Sequence, residues 1–90
     1  MLITFDPAKD ATNLAKHGVS LAQAEHLDWA TALLRYDERY DYGEVRIAGL
    51  GFIGSRLYFV VYVQRDETCR IISLRKANNR EKKIYAEAQT

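Results

Sequence analysis

The chain has 90 residues, 48% of them apolar and 28% charged, with a formal net charge of +1. That length supports one modest core and argues against a deep, enclosed active site, because a chain of this size buries only about 60 to 65% of its surface. The apolar content excludes disorder, and a single cysteine excludes both a disulfide framework and a Cys/His metal cluster.

Leu2 to Phe5 is a short β-prone run. Asp6-Pro7 then supplies an N-cap and a proline at the first helical position, where its missing donor costs nothing. Ala8, Ala11, Leu14 and Ala15 fall on one stripe and are the expected buried face, and Gly18 after Lys16-His17 is a stop signal. Ser20 restarts the pattern as N-cap of a second short helix, with Leu21, Ala24 and Leu27 on one face. The two form an expected αα-hairpin.

Thr31 to Arg35 reads as a strand, and Tyr36 to Gly43 as an exposed loop without a clean period. Three strands follow: Glu44 to Ile53, closed by the turn Gly54-Ser55; Arg56 to Gln64, closed by Arg65-Asp66-Glu67; and Thr68 to Leu74. They are expected to form an antiparallel meander. In its middle strand Leu57, Phe59, Val61 and Val63 make a pure apolar face, expected to pack on the two helices. The mixed face of Arg56, Tyr58, Val60, Tyr62 and Gln64 is left for a ligand or the last helix. Ile71-Ile72 breaks the alternation and leaves the face of Arg70 open. Asn78 to Ala88 favours a helix with Ile84 and Ala88 on its apolar side. The fold class is therefore α+β, with an N-terminal helix pair on an antiparallel meander, a C-terminal helix, and residues 1–90 as one domain. Nothing resembles a signal peptide or a membrane span, and the cytoplasm is the default location.

Charge is polarised along this order. Residues 1–45 carry four basic and eight acidic side chains, a net of −4; residues 46–90 carry nine and four, a net of +5. Five of the nine, Arg75, Lys76, Arg80, Lys82 and Lys83, cluster where a strand end meets a helix start. Exposed helix-terminal amides add donors there, so phosphate binding is expected, and RNA contact with it. A solvated basic helix face is the competing explanation. His17 can move a proton near neutral pH, or simply complement a helix dipole. Tyr85 is a stacking platform, a proton donor or a packing residue. Arg56, Arg70 and the cluster Tyr36, Tyr40 and Tyr42 have surface roles as well as nucleic-acid ones, His26 has no catalytic neighbours in sequence, and Cys69 reads as a buried thiol. Ribose-directed cleavage needs a proton taken from the 2′-hydroxyl, charge neutralised at phosphorus and a proton given to the leaving oxygen. Arg and Lys can neutralise the charge with no metal, and the sequence has no acidic cluster suited to paired magnesium ions.

Phe5-Asp-Pro-Ala-Lys9, Asn13-Leu-Ala-Lys-His-Gly-Val-Ser20, Gly49-Leu-Gly51 and Arg70-Ile-Ile-Ser-Leu-Arg-Lys-Ala77, followed by Arg80-Glu81 and Tyr85, resemble in order and spacing the BrnT family of toxins. The resemblance implies a RelE-like fold, metal-independent endoribonuclease activity without a cofactor, and arrest of translation, with the ribosome as one setting for the RNA substrate. It also implies neutralisation by a BrnA-like ribbon-helix-helix antitoxin, through which alone the complex would meet DNA. By matching position, it favours Arg75, Lys76 and Arg80 for phosphate binding and charge stabilisation, and His17 and Tyr85 for proton transfer or positioning. Arg70, Lys82 and Lys83 join the expected RNA-binding set. One departure is Asn78-Asn79, where the family is often more basic. A non-catalytic RNA- or ribosome-binding module and a pure protein-interaction module are the alternatives.

Overall fold

A computed structural model describes residues 2–39 and 41–90. Strand β1, Leu2–Thr4, leads into helix α1, Pro7–His17, which begins as the sequence dictates: Asp6 accepts the Ala8 N–H at 2.9 Å with Pro7 beside it. The helix ends at Gly18, whose φ of 72° is the left-handed geometry that glycine adopts without penalty.

The expected apolar stripe of α1 faces water: Ala8, Ala11, Leu14 and Ala15 are all exposed. The helix is docked by a polar residue instead. Strand β1 pairs only with Thr68 to Arg70, so farther along β5 the edge would be bare. There the buried Asn13 side chain donates to the Leu74 carbonyl at 2.8 Å, accepts the Leu74 N–H at 3.2 Å, and donates again to the Val19 carbonyl at 2.9 Å. An amide side chain with both donor and acceptor substitutes for one residue of a missing strand. Asp10 adds a second clamp, accepting from Ser20 Oγ at 2.9 Å and the Leu21 N–H at 2.7 Å.

The expected second α-helix is a 3-10 helix, Leu21–His26, capped by Ser20. Its buried face is the expected one, Leu21, Ala24 and Leu27, and their uniform spacing of three explains the geometry, since three residues per turn stack them in line.

The sheet is mixed, with five strands in the order β1-β5-β4-β3-β2. Strand β2 is Leu33–Tyr36, β3 Ile47–Ile53, β4 Arg56–Arg65 and β5 Thr68–Lys76. β1 runs parallel to β5 and every other pair is antiparallel, so the meander is present but a leading strand is added to its edge. Helix α2, Asn79–Ala88, closes the order.

The two sheet faces are covered the opposite way from expectation. Leu21, Ala24 and Leu27 pack on Val60, Tyr62, Ile71 and Leu74, the mixed face of β4, while Trp29 meets Tyr62 edge-on at 5.2 Å. The pure face receives α2: Tyr85 and Ala77 pack with Leu50 and Leu57, flanked by Phe52, Phe59 and Ile84. Tyr58 and Tyr62 present large apolar rings that suit a core as well as a surface, so polarity counts alone misassigned the faces. On α2, likewise, Ala88 is exposed and Tyr85 is the buried residue. The face of Arg70 is settled by a bulge. Val61 pairs with Ser73 but Tyr62 with Ile71, so Ile72 is the extra residue, and Arg70 stands beside Val63 on the α2 face.

Gly51 and Gly49 let the 3-10 helix and β2 approach β3. A Cβ on Gly51 would lie 2.5 Å from Leu27 Cδ2, and one on Gly49 2.6 Å from Leu34 Cδ2. Gly51→Ala is expected to cost about 1–3 kcal/mol in urea unfolding through overpacking of Leu27; an unchanged or raised midpoint would refute this packing role.

The segment after β2 is less open than its composition suggests. Asp37 is buried, with its carboxylate taking two bonds from the Arg39 guanidinium at 2.8 and 2.9 Å and one from the Tyr42 hydroxyl at 3.1 Å. The Arg39 bond is the main cause that holds its pKa down at about 2. Because the unfolded value is about 3.9, this carboxylate supports folding above about pH 4 and loses that contribution as the pH falls toward 2. Asp37→Asn is expected to flatten this part of the acid-unfolding curve, and an identical curve would refute the assignment. Tyr40 lies outside the described residues, so the expected aromatic cluster is described only at Tyr36 and Tyr42.

Candidate nucleic-acid interface

The basic cluster occupies the junction between β5 and α2. Ala77 is buried, its N–H donating to the Leu57 carbonyl at 2.9 Å, and this bond fixes the direction in which the chain leaves the sheet. Asn78 then caps α2: its side chain accepts the Glu81 N–H at 2.8 Å, and Glu81 Oε1 accepts the Asn78 N–H at 2.9 Å. This reciprocal box was legible as Asn78-Asn79-Arg80-Glu81, yet Asn78-Asn79 reads from sequence only as a loss of charge. The anion at this helix start is thus the protein's own carboxylate.

Arg75 closes the arrangement. Its two terminal nitrogens each donate to one Glu81 oxygen at 2.8 Å, and its guanidinium lies 4.4 Å from the Phe59 ring centre. The side chains are 30% and 15% exposed, which shields the pair enough for it to hold α2 on the sheet. The same bond is the main cause that lowers the Glu81 pKa. Sequence reasoning missed Glu81 because it looked for cations. Lys76 at the strand end, Arg80 in the first turn of α2, and Lys82 and Lys83 beyond it are exposed and make no ion pair among the described residues.

His17 lies in a shallow groove between α1 and β5 with Asn13, Ile72 and Ser73. Asn13 fastens α1 at Leu74, next to Arg75, and His17 is one helical turn farther on. It is half-buried, and burial first, then the charges of Lys16 and Arg75, push its pKa below the usual histidine value. A neutral imidazole among cations is a proton acceptor.

The other expected residues are placed elsewhere. Tyr85 is buried, donates its hydroxyl to the Thr31 carbonyl at 3.0 Å, and meets Phe52 edge-on at 5.4 Å. Arg70 is half-buried beside Thr4 and Arg65, about 15 Å along β5 from Arg75 at the usual rise per residue. His26 and Arg56 are exposed. Tyr42 lies under the Arg46 guanidinium at 3.9 Å. Cys69 is fully buried and its thiol is pushed up to about 11 by burial, a state without nucleophilic reactivity.

None of the helices among the described residues is long and apolar enough to cross a membrane. A family model described as "Ribonuclease toxin, BrnT, of type II toxin-antitoxin system" matches residues 5–81, which hold α1, all but the first strand and the whole β5–α2 junction. No curated protein matches the chain. With most of its length under that match, and with the basic junction inside it, the chain belongs to the BrnT family of ribonuclease toxins of type II toxin–antitoxin systems.

Proposed function

We propose that the protein is a RelE-like, metal-independent endoribonuclease that cuts RNA in the cytoplasm, stops translation and is neutralised by a BrnA-like ribbon-helix-helix antitoxin. One observation carries the reading: half-buried His17, one helical turn past the Asn13–Leu74 clamp, feels the charge of Arg75 at a strand-to-helix junction whose four exposed cations make no ion pair among the described residues. In this scheme His17 takes the proton from the ribose 2′-hydroxyl as that oxygen attacks phosphorus. Arg80 and Lys76 neutralise the charge that builds on the phosphate oxygens, and Lys82 and Lys83 hold the backbone beside it. The 5′-oxygen leaves with a proton from water. Arg75 contributes positive potential while holding Glu81, and Tyr85 acts by positioning α2.

The scheme fixes the sign of the pH dependence. A pKa held below the ordinary histidine value keeps His17 a proton acceptor near neutral pH, so cleavage should hold steady there and fall only as the pH drops through that lowered value. Initial rates on a labelled RNA with chelator present read this limb directly. An acid limb that is unchanged in His17→Gln would remove His17 from proton transfer.

The engagement of Arg75 with Glu81 favours a second reading, in which the junction binds RNA or the ribosome without cutting it. Binding that weakens steeply with salt, with no shortened RNA at any time point, would establish it over the first.

A further inference from the structure

Strand β2 is the outer edge of the sheet, with no strand beyond it among the described residues. The Asp37 N–H donates to the Arg46 carbonyl at 2.8 Å, continuing the ladder in which Tyr36 faces Ile47 and Leu34 faces Gly49. In antiparallel pairing, backbone groups alternate between facing the partner and facing away. Since Asp37 points to β3, the N–H and C=O groups of Tyr36 and Leu34 point outward. These two residues also carry exposed apolar side chains, Leu34 at 44% and Tyr36 at 68%, which flank a shallow depression lined by Ile47 and Tyr62. An edge with outward backbone groups and exposed apolar side chains on the same residues is a template for strand addition.

The surroundings specify what kind of strand fits. Glu38, Asp41 and Glu44 are exposed just past Tyr36, and no ion pair among the described residues involves them. This acidic rim belongs to the half of the chain with the net charge of −4.

We infer that β2 receives an extended segment of the antitoxin, apolar at alternate positions and followed by Lys or Arg residues that face Glu38, Asp41 and Glu44. This assignment rests on the proposed pairing with an antitoxin.

The test uses a BrnA-like ribbon-helix-helix antitoxin, purified in complex with this chain. Hydrogen exchange of the complex should protect the Leu34 and Tyr36 amides relative to the free chain. Two variants probe the contact independently: Tyr36→Pro removes an outward N–H at a position where edge strands tolerate proline, and the triple reversal of Glu38, Asp41 and Glu44 to Lys removes the acidic rim. Each should weaken binding roughly tenfold or more, with an unchanged circular dichroism spectrum. Wild-type affinity in both variants, or protection confined to α2, would overturn the surface while leaving the toxin–antitoxin pairing intact. Protection of the same two amides in a concentration-dependent homodimer would place a second copy on this edge and overturn it too. No complex with the wild-type chain would overturn the pairing itself, and the surface with it.

Discussion

Asn13→Asp should be the most destabilising single substitution at any polar site described above. The native side chain satisfies both edge groups of Leu74 and the Val19 carbonyl from a position that is only 6% exposed. A carboxylate would turn two donors into acceptors facing two carbonyl oxygens, and its charge would be buried without a cation partner. Asn13→Ala loses the same three bonds without the repulsion. The expected cost is about 3 kcal/mol for alanine and more for aspartate, because each buried group left unpaired costs roughly 1–3 kcal/mol. For a chain of this length, that lowers the melting temperature by roughly 10–25 °C. Ala11→Ser, on the exposed side of the same helix, should stay within about 0.5 kcal/mol of the parent. Thermal unfolding of the three variants decides the matter: a milder loss at Asn13 than at Ala11 would show that α1 is held by the apolar stripe instead.

The second large effect separates chemistry from scaffold at the basic junction. Arg80→Ala is expected to lower RNA cleavage about 10²-fold or more, the usual consequence of removing a charge-stabilising group, with no change in melting temperature, because Arg80 is exposed and makes no ion pair among the described residues. Arg75→Ala should lose cleavage and stability together, since it strips Glu81 of a bidentate partner and uncovers Phe59. Glu81→Gln distinguishes the two contributions of Arg75. It loosens α2 but leaves the Arg75 charge in place, so it should cost stability with a smaller loss of cleavage than Arg75→Ala. Equal cleavage losses in the two would mean that Arg75 acts only by holding the helix. Full cleavage by the Arg75→Ala, Arg80→Ala double variant would sink the site.

Local signals were readable in one dimension. Asp6-Pro7 and Gly18 bound α1, Ser20 caps the segment that buries Leu21, Ala24 and Leu27, and the Gly54-Ser55 turn joins β3 to β4, because caps and turns are settled by a few neighbouring residues. The clustering of cations from Arg75 to Lys83 was equally visible, being a matter of sequence alone.

The sequence by itself therefore determined the α+β class, the antiparallel meander, the strand-to-helix junction and the polarisation of charge. Only the tertiary structure decided which sheet face each helix covers, that Asn13 rather than the alanine stripe docks α1, that Ile72 is the extra residue in β5, and that Arg75 is already bound to Glu81. The physical reason is common to all four. Each depends on contacts between residues whose local patterns permit more than one partner, and the choice is made by whichever arrangement satisfies buried backbone groups and charges at the same time.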